Sequence, residues 1–138
     1  MPVFTEYLEL ATQGNTDIID ITQDVINILH RTQLINGIVC ISAIGSTAAV
    51  TTCEFEPGLV EDLKQLFSRL IPKASYNHDR AWGDGNGHSH LRASLLGPSL
   101  NIAFNNRELI LGTWQQIIFI DFDNRSRRRK VVLQFVGE

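Results

Sequence analysis

The amino-acid sequence predicts an α+β domain, a two-layer antiparallel β-sandwich that carries two helices. Short segments rich in Val, Ile and Thr follow one another across tight turns, which favours antiparallel pairing. Two other segments repeat apolar residues at helical spacing, and the element order is β-β-α-β-β-α followed by further strands. The 138 residues, 43% hydrophobic and 20% charged, suit one ordinary domain over positions 1–138.

The chain begins with two predicted strands and a helix. Val3–Ala11 alternates apolar and polar residues imperfectly, and Asp17–Ile21 is a second extended segment. Thr22 is a suitable N-cap for the helix, and Asn36-Gly37 supplies its stop. Apolar residues recur every three or four positions between them, which places one helix face on the core.

The next two predicted strands, Ile38–Ile44 and Ala49–Glu54, are expected to form a hairpin about Ser46-Thr47. Cys40 and Cys53 would then face each other across the pair. Two cysteines are too few for a disulfide framework or a thiolate zinc site, so both are expected to be buried, reduced thiols. A disulfide would be expected only in a protein from a hyperthermophile.

A second helix is predicted to begin at Pro57, because the first helical position needs no N–H donor, and to end at Ile71-Pro72. Its Leu and Phe residues form one apolar stripe that belongs to the core. One or two helical turns are expected at Leu91–Leu96. Further strands are predicted at Ser99–Phe104, Glu108–Leu111, Gln115–Phe122 and Lys130–Val136.

Charge and hydropathy argue against nucleic acid and membranes as partners of this chain. The formal net charge of −3 argues against nucleic-acid binding, because phosphate contacts require a basic surface. No apolar run is long enough to span a bilayer. The first residues lack the basic and apolar regions of a signal peptide, so a cytoplasmic protein is expected.

Candidate chemistry concentrates in the segment Tyr76–His90, which holds three of the four histidines. Imidazoles and carboxylates bind metals and move protons, and glycines let backbone approach a ligand closely. A hydrophobic core has no use for such a segment, so it is interpreted as a site on a loop. Its polar and glycine residues are His78, Asp79, Gly83, Asp84, Gly85, Asn86, Gly87, His88 and His90.

The histidine spacing suggests a metal centre. On an extended stretch, His88 and His90 would point to one side, and His78 could reach them across the glycine-rich turn. Three imidazoles with an open position suit a catalytic zinc or a similar ion. The alternative is a hydrogen-bonded loop in which His78 and Asp84 satisfy backbone groups.

Two features outside this segment are also candidates. Arg127 and Arg129 alternate along a strand, so they could clamp a phosphate or carboxylate through bidentate hydrogen bonds, or remain solvated. Glu54 ends a threonine-rich strand and could be a general base, a partner for a histidine, or a solvated acid.

Several motifs resemble the secondary thiamine-phosphate synthase family, also called YjbQ-like. In chain order they are Gly45–Thr51, Glu56–Val60, His78 with Gly83–Asn86, His90–Ser99 and Gly112–Gln116, and the arginine run after Phe122-Asp123 fits as well. The resemblance covers almost the whole chain. It implies a two-layer α+β fold assembling as a homotrimer, and an activity that joins a pyrimidine diphosphate to a thiazole phosphate with release of pyrophosphate.

The resemblance also implies a polar site composed of Glu54, His78, Asp84, Asn86 and His90. Many members carry a histidine where this chain has Gly45, a gap that His88 could fill. This departure bears on both the metal and the activity.

Together these observations predict a small oligomeric enzyme that acts on a phosphorylated small molecule. Catalysis is assigned to Glu54, His78, Asp84 and His90, and a divalent metal, zinc or magnesium, to His78, His88 and His90. Substrate binding is assigned to Thr47, Thr51, Asn86, Arg127 and Arg129. The alternative is a non-catalytic trimeric module that binds a metal or small ligand, and nucleic-acid binding through the arginine run ranks lowest.

Overall fold

A computed structural model describes residues 1–138 as eight strands and four helices. The strands are β1 (Val3–Thr12), β2 (Asp17–Asp20), β3 (Gly37–Ala43), β4 (Ala48–Cys53), β5 (Ser99–Asn105), β6 (Glu108–Leu109), β7 (Gln116–Asp121) and β8 (Arg127–Gly137). The helices are α1 (Thr22–Thr32), α2 (Pro57–Leu70), α3 (Asn77–Trp82) and α4 (Gly87–Leu96). No helix combines the length and the apolar character needed to cross a bilayer.

The strands form two sheets. One has five strands in the order β1-β8-β3-β5-β6, and the other has three in the order β2-β7-β4. Every strand pairing is antiparallel. The predicted α+β class is therefore confirmed.

Two hydrophobic cores cover the two faces of β7, the middle strand of the smaller sheet. Ile117 and Phe119 pack in the core shared with the five-stranded sheet and α1. Ile118 and Ile120 face the other way, into the core that holds Phe67 of α2 and other helical residues. All four β7 side chains are fully buried, and each such burial contributes about 1.5–3 kcal/mol. The carboxyl end of β7 is thus held firmly beside the helices.

A carboxylate accepts hydrogen bonds at the start of each of the two predicted helices. The side chain of Glu56 accepts hydrogen bonds from the backbone N–H groups of Gly58 and Leu59 at 2.8 and 2.7 Å, and Pro57 is the first helical residue. At α1 the carboxylate of Asp20 accepts from the N–H and hydroxyl of Thr22 at 2.9 and 2.6 Å. Thr22 is therefore the first residue of α1 and not its N-cap.

The predicted hairpin between the third and fourth strands is wrong. β3 pairs with β5 on one edge and β8 on the other, so no edge remains for β4, which pairs with β7. The chain crosses from one sheet to the other through Ile44–Thr47. Cys40 and Cys53 consequently lie in different sheets. Both are free thiols, but each is half-buried and not fully buried as predicted.

The segment Tyr76–His90 is mostly helical, which corrects its interpretation as a loop and raises the helix count from two to four. α3 is capped at its carboxyl end by Gly83, whose φ of +73° is the left-handed conformation that glycine adopts readily. α4 begins at Gly87, four residues before the predicted Leu91–Leu96. The segment lacks apolar periodicity, and α3 buries none of its residues.

Candidate functional site

The candidate site is a cluster of one imidazole and two carboxylates where α3 meets α4. The Nδ1 atom of His78 lies 3.8 Å from Oδ1 of Asp79 and 3.7 Å from Oδ1 of Asp84. Ligand atoms of the three side chains all lie within 4.8 Å of one another. The Nδ1 atom of His78 is buried and has no hydrogen-bond partner. A divalent cation between these atoms would satisfy that nitrogen and both carboxylates.

His90 stands beside this cluster. Its ring centroid is 4.3 Å from that of His78, with the ring planes inclined at 43°. Burial, followed by the proximity of His78, lowers the pKa of His90 below its ordinary value, against the opposing effect of nearby carboxylates. His90 is therefore mainly neutral at pH 7, the protonation state in which an imidazole binds a metal.

Asp79 organises the cluster as well as contributing to it. Its two carboxylate oxygens accept the backbone N–H groups of Tyr76, at 2.9 Å, and of Gly87, at 2.8 Å. These two bonds lower the pKa of Asp79. A Cβ atom at Gly87 would lie only 2.9 Å from Cβ of Tyr76, so the close contact between α3 and α4 depends on this glycine. Asp79 is thus ionised and fixes the start of both helices.

His88 points away from His90. Successive residues of an α-helix are rotated by about 100°, so residues two apart lie on nearly opposite sides. His88 is 3% exposed and lines a separate pocket together with Arg92. The prediction that His88 and His90 share one side of an extended stretch is wrong, because the stretch is helical.

A buried network of ion pairs lies next to the cluster. Arg129 donates from Nε and Nη2 to the two carboxylate oxygens of Asp121, both at 2.8 Å, and from Nη2 to the hydroxyl of Thr47 at 2.6 Å. Arg127 donates from Nε to Asp123 at 2.7 Å. Arg127 and Arg129 share a strand face as the sequence indicates, but both guanidinium groups are already engaged by carboxylates.

This network holds the polar cluster in place. Asn86, the residue before α4, donates from Nδ2 to Oδ1 of Asp123 at 3.2 Å. The side chain of Asn124 donates to the backbone carbonyl of Asp84 at 2.8 Å. The turn after β7 therefore determines the position of the Asp84 loop and of the first turn of α4.

We expect acid to destabilise the fold through Asp121 and Asp123. Burial raises the pKa of each carboxyl, but hydrogen bonds, foremost from Arg129 to Asp121 and from Asn86 to Asp123, hold both below the ordinary 3.8. A carboxyl with a lower pKa in the folded state contributes stability above its unfolded pKa, and this is lost as the pH falls through the folded value. Urea unfolding is expected to give nearly equal free energies at neutral and mildly acidic pH and a smaller one below pH 3.8. A free energy that stays constant below pH 3.8 would contradict this.

Glu54 and Thr51 lie away from the histidines within this chain. Ala48, at the start of β4, lines the same small cavity as His90. Glu54 follows the other end of β4 and is exposed, about 20 Å further along at the usual strand rise. Thr51 is half-buried in the middle of the strand. Any contribution of Glu54 to a site around His78 would have to come from a neighbouring subunit.

Gly45 lies close to His90. Both residues line a cavity of about 180 Å³, together with Ser46 and residues of α4. A Cβ atom at Gly45 would lie 2.9 Å from Nη1 of Arg129, which is closer than real Cβ contacts. The position at which the resemblance implies a histidine in other proteins therefore lines the same cavity as His90, but a side chain there would require the guanidinium of Arg129 to shift.

Comparison with known proteins places the chain in a family. A family model described as UPF0047 protein YjbQ-like matches residues 6–138. The chain belongs to the YjbQ-like family. A UPF0047 protein of Methanothermobacter thermautotrophicus is 38% identical over 130 residues, which cover 94% of this chain and 90% of that relative. One from Archaeoglobus fulgidus is 37% identical over 126 residues, covering 91% and 96%.

Solved structures of similar proteins share this YjbQ-like fold. A YbjQ-like protein of unknown function from Sulfolobus solfataricus P2 superposes with a TM-score of 0.93 at 28% identity, over 99% of each chain. A hypothetical protein from Aeropyrum pernix K1 gives a TM-score of 0.91 at 32% identity, over 98% of this chain and 99% of the other. The two-sheet architecture is therefore that of the family.

Three acidic residues of this YjbQ-like site were not assigned roles from the sequence. Asp79 lies between His78 and Asp84, and nothing in the sequence distinguishes it from these two residues as a site residue. The signal for Asp121 and Asp123 is their spacing of two, which matches that of the two arginines across the following turn. Two aspartates and two arginines with the same spacing, at strand ends joined by a turn, predict ion pairs between them as readily as a phosphate-binding site.

Proposed function

We propose that this YjbQ-like protein binds a divalent cation between His78, Asp79, Asp84 and His90 and uses it in a transferase reaction of the thiamine-phosphate synthase type. The reaction would join a pyrimidine diphosphate to a thiazole phosphate and release pyrophosphate. The observation that carries the proposal is the convergence of ligand atoms from His78, Asp79 and Asp84 within 4.8 Å around a buried nitrogen without a partner. The sequence resemblance supports the reaction class.

The donor set favours zinc over magnesium. Magnesium prefers oxygen ligands in octahedral geometry, whereas imidazole nitrogens combined with carboxylates suit zinc. A cation here would offset the negative charge that develops on the departing pyrophosphate. The neutral ring of His90 is available either as a further ligand or as a proton-transfer group.

Metal analysis combined with an activity assay tests the proposal. The purified protein is expected to hold about one zinc ion per chain and to form thiamine phosphate from the two phosphorylated precursors. Removal of the metal with a chelator should abolish product formation, and added zinc should restore it. Undiminished turnover by metal-free protein would refute the role of the cation.

A second candidate function is cation binding without catalysis. It is favoured by the state of Arg127 and Arg129, the predicted substrate-binding arginines, which are engaged by Asp123 and Asp121. Zinc-loaded protein that yields no thiamine phosphate would support this candidate over the transferase.

We further propose that the protein is a homotrimer, as the resemblance implies. Apolar side chains of Val3, Ile38 and Val136 lie opposite one another on adjacent strands and are 55%, 52% and 38% exposed. Apolar rows of this kind mark contact surfaces between chains. The purified protein should therefore have the mass of three chains in sedimentation, and a single-chain mass would contradict the trimer.

A further inference from the structure

A second pocket, distinct from the His78 cluster, lies between α2, α4 and the loop before β2. Its volume is about 310 Å³, at the lower end for ligand sites. No carboxylate and no hydrophobic side chain lines it. The lining residues are Asn15, Thr16, Lys64, Ser68, Lys73, His88 and Arg92. We call this set the basic pocket.

The floor of the basic pocket contains a buried guanidinium with no acidic partner. Arg92 is 6% exposed and donates from Nε and Nη2 to the backbone carbonyl of Ile71, at 3.0 and 2.8 Å, and from Nη1 to the hydroxyl of Thr16 at 3.2 Å. Three of its five N–H groups are thus used, all by uncharged acceptors. Its positive charge and its two remaining N–H groups are available to a ligand.

His88 adds an unpartnered polar atom to the floor. It is 3% exposed, and its Nδ1 atom is buried without a hydrogen-bond partner. The other ring nitrogen is 3.5 Å from the hydroxyl of Ser89, at the limit of a hydrogen bond. Buried polar atoms in folded proteins are almost always satisfied, so the unpartnered Nδ1 of a residue that lines this pocket is a hydrogen-bonding capacity that a polar ligand could use.

The rim of the basic pocket is also cationic. Lys64 is half-buried and Lys73 is exposed, and neither forms an ion pair. Asp79 and Asp123 are the carboxylates that act on His88 from its other neighbours, and both are already hydrogen-bonded elsewhere. Three cationic side chains therefore line one small space that no carboxylate lines.

We propose that the basic pocket is a phosphate-binding site, which takes inorganic phosphate or the phosphate group of a small ester. A guanidinium and two ammonium groups match the charge of a phosphate dianion better than that of a carboxylate. The acidic net charge of the chain favours a small phosphate ligand over a nucleic-acid backbone. The inference goes beyond the proposed function and stands without the cation at His78.

Calorimetric titration with inorganic phosphate, in the presence of EDTA, tests the site separately from cation binding. The native protein should show saturable binding, and Lys64→Ala and Lys73→Ala should each weaken it roughly tenfold through loss of a charged hydrogen bond. Both lysines lie at the rim, so these variants are expected to fold normally. Lys130→Ala is the matched control, because it removes the same charge from an exposed site beside Tyr7 and should leave affinity unchanged.

A second measurement locates the ligand. In heteronuclear NMR spectra, phosphate should shift the backbone amides of His88 and Arg92 and leave that of Lys130 in place. Absence of phosphate binding by the native protein would overturn the proposal, as would equal weakening by Lys64→Ala and Lys130→Ala. Acetate binding as tight as that of phosphate would overturn the assignment to a dianion.

Discussion

Replacement of Arg129 by methionine is expected to lower the free energy of unfolding by about 3–5 kcal/mol, because it leaves the carboxylate of Asp121 buried without its bidentate partner. The hydroxyl of Thr47 loses its donor at the same time. Such a loss is a large share of the 5–15 kcal/mol that stabilises an ordinary domain. Urea unfolding followed by circular dichroism measures it.

Two further variants separate lost ion pairing from lost packing. Arg128→Ala, at the neighbouring and 85% exposed position, should change stability by less than about 0.5 kcal/mol. The double variant Arg129→Met with Asp121→Asn should recover part of the loss, since no buried charge then remains unpaired at that position. If Arg129→Met were as stable as the native protein, the ion pair would have no structural role.

Replacement of His78 by alanine is expected to weaken zinc binding by more than about 100-fold, beyond what the loss of an outer partner of a metal ligand costs. The ring provides the nitrogen at the centre of the cluster, 3.7 Å from Asp84 and 3.8 Å from Asp79. Competition with a chromophoric chelator measures the affinity, and thiamine-phosphate formation should fall with it.

The control for this variant is His30→Ala. His30 is an exposed residue of α1, remote in sequence from both helices of the site, so its removal should leave zinc affinity unchanged. Asp84→Asn provides a third comparison, because Asp84 is exposed and its replacement should not disturb folding. Retention of native zinc affinity by both His78→Ala and Asp84→Asn would remove the basis for a metal centre in this cluster.

Elements with strong apolar periodicity were predictable from the sequence. The bounds of α2 follow from Pro57 and Ile71-Pro72. The prediction that its whole apolar stripe belongs to the core is wrong, because Phe67 is buried but Leu66 and Leu70 are exposed. The continuous apolar run of β7 is typical of a strand buried on both faces, and the structure shows that burial. Local signals sufficed because the local and tertiary preferences of these segments agree.

Strand pairing and side-chain contacts between segments distant in sequence were not predictable in this way. Nothing local to Ala49–Glu54 indicates that its pairing strand is β7, since both edges of β3 are taken by strands that come much later. Helix α3 and the first turn of α4 are not predictable because their stability comes from particular contacts, such as that of Asp79 with Gly87, and not from an apolar face. The helical turns predicted at Leu91–Leu96 are the second half of α4. His78, Asp84 and His90 could be grouped from the sequence only because they are close along the chain, and the structure places His78 beside each of the other two.

His88 and His90 lie on opposite sides of α4, so the rotation of this one helix about its axis sets the position of both rings. Slippage by one residue would turn the helix by about 100° and withdraw His90 from the ring of His78. It would also carry His88 and Arg92, which lie on the same helix, away from the rest of the basic pocket. The bond from Asn86 to Asp123 sets that angle. A mutation in the turn after β7, which contacts neither histidine, should therefore change cation binding at the His78 cluster and phosphate binding at the basic pocket at the same time.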